Sequence, residues 1–243
     1  MKKVMALLIA LSLIFSLAAC GSTQPKEDVS STFQISTLPE SVETSEYSQL
    51  PETDDIASAD TAASSGNILV AYFSWADNAI LADDVDAVAS PSVISPGNVQ
   101  QLARWVQEQT GGDLFSIRVT DPYPSDWNDC LTRANQERGN DARPELVENV
   151  ENLDNYDVVF LGYPNWWYGV PMALLSFLEN NDLSGKQVYL FCSHGTGGLA
   201  NSVDIITEAL PDGEISDNIF DCFEEEAPSS RAEIESWLTE LGY

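Results

Sequence analysis

The stretch YDVVFLGYPNWWYGVP, residues 156–171, changes character at its midpoint. Residues 156–162 read as a strand, and within it 158–161 are wholly apolar, with β-branched and aromatic side chains, as fits a strand buried on both faces. Pro164, Asn165, Gly169 and Pro171 then punctuate a loop. Within that loop stand Trp166, Trp167 and Tyr168, three adjacent large aromatics at the end of a strand. Pro171 suits the start of the helix predicted over 171–180.

Working outward, the same alternation repeats. Residues 67–73 (NILVAYF), 113–119 (DLFSIRV), 187–192 (QVYLFC) and, more weakly, 214–222 (EISDNIFDC) read as further strands. Val99, Leu102, Ala103 and Val106 recur at helical spacing before Gly111 and Gly112. A polar helix is expected over 126–138. Leu199, Val203, Ile206 and Leu210 mark another, and Ile234, Trp237, Leu238 and Leu241 a closing one. Strands alternating with helices predict a parallel sheet covered on both faces. In such sheets the ligand sits at the carboxyl ends of the strands, by the switch in strand order.

The 243 residues carry 39 acidic against 10 basic side chains, a formal charge of −29. Nucleic-acid binding needs a basic footprint and is disfavoured; basic partners, or simple solubility, fit this charge. Residues 1–19 read as a secretory signal, with Lys2 and Lys3 ahead of an apolar run that is short for a spanning helix. LAAC, residues 17–20, resembles the lipobox of bacterial lipoproteins. That resemblance implies cleavage before Cys20 and lipidation of its thiol, and several acyl chains anchor a protein stably. The expected location is the outer face of the bacterial cytoplasmic membrane, held there by the lipid anchor alone.

Residues 20–65 are rich in Ser, Thr, Asp and Glu and poor in large apolar side chains. They read as a disordered tether, spanning on the order of 35–40 Å as a random coil. The folded domain is expected over 66–243. Cys130, Cys192 and Cys222 read as buried free thiols, with a Cys192–Cys222 pair the alternative. With one histidine and no CxxC, a zinc site of the usual pattern is not expected.

Three loops carry the candidate chemistry. The first runs from Ser74 to Gly97, Asn98 and Val99, where a helix opens and its free backbone N–H groups favour an anion. The second is Pro164, Asn165, Trp166, Trp167 and Tyr168, whose rings offer flat faces and polar edges to a planar ligand. The third, CSHGTGGLAN (192–201), supplies Ser193, His194, Gly195, Thr196 and Gly197, with glycines that permit close backbone approach. It follows the fourth strand and lacks the last glycine of the dinucleotide fingerprint. A lipase-like reading lacks the Gly-x-Ser-x-Gly elbow.

Taken together, ILVAYFS with PGN, YDVVFLGYPNWWYGVP, FCSHGTGG and the segment 122–146 resemble the flavodoxin family, in its quinone- and NAD(P)H-reductase-related branch. The resemblance implies a three-layer sandwich with a five-stranded parallel sheet in the order 2-1-3-4-5, and one FMN. It places the phosphate at Ser74, Gly97, Asn98 and Val99. One side of the ring falls to Pro164, Asn165, Trp166, Trp167 and Tyr168, and the other to Ser193, His194, Gly195, Thr196 and Gly197. Redox partner proteins or a small quinone-like acceptor would follow, by carriage or by enzymatic reduction. Where the family has a compact hydroxyl-rich phosphate loop, residues 75–96 are inserted, carrying Asp77, Asp83, Asp84 and Asp86 toward the expected dianion. Ser90, Ser92 and Ser95 are candidate substitutes for the missing hydroxyls. The alternative is a non-redox binding module whose aromatic loop takes a small planar ligand or a partner protein.

Overall fold

The computed structural model describes residues 67–82, 85 and 91–243. The signal segment, Cys20, the tether, Gly66, Asp83, Asp84, Asp86 and Ser90 lie outside the described residues. Strand β1 (Ile68–Tyr72) is followed by the short β2 (Ala79–Ile80) and helix α1 (Asn98–Thr110). Next come β3 (Asp113–Ser116), β4 (Tyr123–Pro124) and α2 (Trp127–Gly139). The chain continues through β5 (Val158–Pro164), α3 (Met172–Asn180), β6 (Gln187–His194) and α4 (Ser202–Ala209). It ends with β7 (Glu214–Ile215), β8 (Phe220–Phe223) and α5 (Arg231–Glu240).

The main sheet runs β3-β1-β5-β6, and all its pairings are parallel. The next position is shared: β7 pairs with the start of β6 and β8 with its end. The expected order 2-1-3-4-5 therefore holds by position, but the sheet has six strands, because the fifth is broken. Val188 faces Ile215 and Phe191 faces Phe220, so the outer strand has more residues between these pairs than β6 and must bulge. The bulge is tied down by the Trp237 indole N–H, which donates to Asn218 Oδ1 at 3.2 Å. The strand expected over 113–119 stops at Ser116. Beyond it the chain leaves the sheet, and β4 pairs with β2 in a small second sheet.

Alternation along the strands makes two cores. Leu69, Ala71, Val159, Leu161, Val188, Leu190 and Cys192 face α3 and α4. Val70, Tyr72, Phe160 and Phe191 face α1 and α5, meeting Leu102, Ala103, Val106, Ile234 and Leu238. These are the layers of a three-layer sandwich, and a fully buried Leu or Phe contributes about 2 kcal/mol. Gly162 makes room for one of them: a Cβ there would stand 2.2 Å from the Phe191 ring. The local punctuation is equally physical. Gly111, at φ +71°, closes α1 by donating to the Gln107 carbonyl, a left-handed cap. The Asp126 side chain caps α2 by accepting from Asp129 N at 2.9 Å.

Cys130, Cys192 and Cys222 are all buried free thiols. Cys192 and Cys222 belong to opposite faces of the sheet, which excludes the pairing considered above. Burial pushes the Cys130 thiol up to about 12 and Cys222 to about 11, so neither is poised as a nucleophile.

Candidate functional site

Three chain segments leave the carboxyl ends of β1, β5 and β6 side by side. β1 lies between β3 and β5, so the order reverses there and a crevice opens. The cleft is lined from β1 by Ser74 and Trp75, from α1 by Asn98 and Val99, and from β5 by Pro164, Asn165, Trp166 and Trp167. Ser193, His194 and Gly195 complete it from β6, with Ser92 and Glu224 beside them. These include ten of the fourteen residues expected from sequence. Gly97, Tyr168, Thr196 and Gly197 do not line it.

Those four still differ in role. Gly97 backs the cleft floor: a Cβ there would meet Ser74 Oγ at 2.5 Å, the Ser92 carbonyl at 2.8 Å and Ala76 Cβ at 2.9 Å. The backbone there is ordinary, so close approach is what requires glycine. Gly197 lies under the Tyr168 ring, 3.1 Å from where its Cβ would be. Tyr168 is 63% exposed, and Thr196 is exposed.

At the polar end, Ser74 Oγ is buried and has no hydrogen-bond partner among the described residues. It sits against Gly97, where α1 begins without a side-chain cap. The first-turn amides of α1 have no acceptor within the helix. A buried hydroxyl without a partner, beside a helix start, is the donor set of an anion site. Asn98 is buried, but its amide is spent on structure, donating to the Glu224 carbonyl at 2.7 Å and to Ser193 Oγ at 3.3 Å. Asn165 is a second strut, donating to the carbonyls of Gly198 (2.6 Å) and Leu199 (2.9 Å).

Asp77 does not face the cleft. Its carboxylate accepts from Tyr72 Oη (2.7 Å), Ser116 Oγ (2.8 Å) and Gln100 Nε2 (2.8 Å) on another part of the surface. The expectation that this carboxylate crowds a dianion is thus corrected: three donors hold it at the β3 side.

The aromatic triple divides the same way. Trp166 packs edge-on against Phe73 and Tyr123, with ring centroids 5.4 and 5.3 Å apart, so it caps the core. Trp166 and Gly169 exchange backbone hydrogen bonds around Trp167 and Tyr168, at φ +55° and +60°. Two left-handed central residues describe a type I′ turn, normally made by Asn and Gly. Bulky residues in this conformation cost about 1–3 kcal/mol each, and such strain clusters at ligand sites. The Trp167 Nε1–H is buried and has no acceptor among the described residues. The Arg138 guanidinium covers the ring, 5.3 Å from its centroid.

His194 has a nitrogen on each side engaged: Nδ1 is 2.8 Å from the Gly195 carbonyl and Nε2 is 2.7 Å from Asp221 Oδ2. With both ring nitrogens engaged, this is an anchored loop residue. Among the described residues, no group of three or more His, Cys, Asp or Glu could hold a metal.

Two features were missed from sequence. Trp127, Cys130, Leu131 and Ala134 of α2 form an apolar wall of the cleft. Their i, i+3, i+4, i+7 spacing was readable as a helix face, although α2 is polar overall. Glu224 contributes the cleft's carboxylate. Burial, assisted by Glu225 and opposed by His194, holds its pKa above the usual value. Its main chain is locked between Asn98 and His194, a placement that follows from the broken fifth strand.

Residues 86–240 match the family model described as Flavodoxin, well over half of the chain. The chain belongs to the flavodoxin family. The match begins after β1 and Ser74. Among relatives, Flavodoxin 1 of Salmonella typhimurium is 27% identical over 127 residues, covering 51% of this chain and 55% of that protein. The Haemophilus influenzae flavodoxin is 25% identical over 151 residues, covering 60% and 65%. This chain thus spans only part of the length of either relative. A crystal structure from Bacteroides eggerthii, of a protein described as a flavoprotein, has 28% identity and a TM-score of 0.55. It covers 73% of this chain and 98% of that one. A second, from Bacteroides uniformis, has 24% identity and a TM-score of 0.55, covering 72% and 98%. That likeness speaks to the fold alone.

The residues present fit the family's cofactor, FMN. The Ser74 hydroxyl and the α1 start suit a phosphate, the Trp167 N–H seeks an acceptor, and the wall from Trp75 to Ala134 suits an apolar ring.

Proposed function

We propose that the protein is an FMN-binding redox protein, exported and held at the outer face of the bacterial cytoplasmic membrane by lipidated Cys20. There it passes electrons to a partner protein or reduces a quinone-like small molecule. The carrying observation is that one cleft, at the strand-order switch of a flavodoxin-family fold, contains two buried donors without acceptors among the described residues. Ser74 Oγ stands beside a helix start, and Trp167 Nε1 stands among aromatic walls.

FMN supplies the electron chemistry in its ring; the protein supplies binding, orientation and electrostatics. Ser74 and the first-turn amides of α1 would hold the phosphate without any lysine. Trp167 offers the ring a flat face and an N–H. Trp75, Trp127, Leu131 and Ala134 exclude water. The Ser193–Gly195 segment would border the ring, and its position is fixed by the Asn98 and Asn165 struts. The −29 formal charge opposes added negative charge in the cleft, which lowers the potential of the site.

The location rests on the basic start, the uncharged run and Cys20 after Leu-Ala-Ala. The protein purified as expressed is expected to be yellow, with flavin absorbance. A colourless protein that also fails to take up added FMN refutes the cofactor, and favours a non-redox module using the same aromatic turn. Cys20→Ala is expected to release the protein from the membrane fraction; retention there refutes the anchor.

A further inference from the structure

Arg138 lies in the last turn of α2 and is exposed, yet it is aimed at the strained turn across the cleft mouth. Its guanidinium carbon is 5.3 Å from the Trp167 ring centroid. Its Nη1 donates to the Trp167 main-chain carbonyl at 3.3 Å, and its Nη2 reaches Asn135 Oδ1 at 3.5 Å. One side chain thus holds both the ring and the backbone of a residue in the left-handed region. A cation over an indole face is attractive, and the fork adds a directed hydrogen bond that an ammonium cannot combine with stacking.

Nothing within the turn explains why Trp and Tyr occupy positions that favour Asn and Gly. The main chain of Tyr168 is tied on its far side by Asn201 N, which donates to its carbonyl at 3.1 Å. The Trp167 main-chain carbonyl is held by Arg138 Nη1, which donates to it. With one ring face under the guanidinium, a ligand ring has the opposite face and the buried Nε1–H edge.

Resting on the FMN reading above, we infer that Arg138 is a positioning residue for the cofactor: it clamps Trp167 in the orientation that presents its free face and N–H to the cleft. Arg138 itself touches no cofactor atom in this account. It acts through Trp167, and its removal leaves the turn free to relax to an orientation that no longer fits the ring.

The test compares the full-length protein with Arg138→Ala and Arg138→Lys. FMN affinity is read by fluorescence quenching, and the indole N–H signals are recorded by NMR without ligand. Trp167→Phe identifies the Trp167 signal by its loss. Arg138→Ala is expected to shift that signal in the ligand-free protein and to weaken FMN by about five- to tenfold. Arg138→Lys should restore part of the affinity. An unmoved Trp167 signal, or wild-type FMN affinity in Arg138→Ala, overturns the clamp. So does a lowered melting temperature with affinity unchanged, the mark of a purely structural residue. If the wild type binds no FMN, the FMN reading fails, and the indole signal alone still decides whether Arg138 positions Trp167.

Discussion

Removing the Ser74 hydroxyl should move stability and cofactor affinity in opposite directions. Ser74 Oγ is buried without a partner among the described residues, so the ligand-free protein bears the cost of a desolvated hydroxyl. Such a group is destabilising by about 1–3 kcal/mol. Ser74→Ala removes the unmet hydroxyl and leaves a methyl group in nearly the same space. The ligand-free variant should therefore be as stable as the wild type, or more stable by up to about 1 kcal/mol. With FMN the sign reverses. A hydrogen bond to a charged group contributes about 1.5–3 kcal/mol, which corresponds to a loss of roughly 10- to 100-fold in Kd. Urea denaturation of the ligand-free proteins gives the first quantity and FMN fluorescence titration the second. A variant that loses more than about 1 kcal/mol of intrinsic stability while binding FMN normally refutes the reasoning, since Ser74 would then be a structural hydroxyl.

Gly97→Ala should cost about 1–3 kcal/mol of stability by overpacking, because its Cβ collides with Ser74 Oγ and the Ser92 carbonyl; denaturation midpoints and FMN affinity should fall together. Replacing Trp167 by Ala should weaken FMN and relieve quenching of its fluorescence, whereas unchanged affinity and quenching remove that ring from the contact. Glu224 has a folded-state pKa raised chiefly by burial, so its contribution to stability is complete below the ordinary carboxylate range and is lost as pH rises through the raised value. Glu224→Gln should flatten that part of the stability–pH profile, as urea melts at a series of pH values would show; an identical slope contradicts the assignment.

Much of this architecture was legible because apolar runs and helical spacing act locally. Residues 158–161, buried from both sides, identified the central strand, and Gly111 marked the end of α1 through a conformation that glycine tolerates. The broken fifth strand was not legible: EISDNIFDC has strand-like ends, and only pairing against β6 shows that its middle cannot stay in register. The site divided along the same line. Ser74, Asn98, Asn165 and Trp167 were readable as loop residues at strand ends, but their roles depend on partners distant in sequence. Asn98 and Asn165 proved to be struts, Trp166 a core cap, and Asp77 a carboxylate tied to the β3 side. Glu224 and Arg138 reach the cleft and its turn from segments beyond the three loops. The α2 wall shows a different limit, since a clear apolar stripe was masked by the polarity of the rest of the helix.

The most direct test of the account is a titration of the ligand-free protein with FMN under oxidising conditions, with riboflavin in parallel. The account predicts one FMN per chain, strong quenching of flavin fluorescence, and much weaker binding of riboflavin, which lacks the phosphate that Ser74 and the start of α1 are placed to hold. No saturable FMN binding, or equal affinity for riboflavin and FMN, would contradict it.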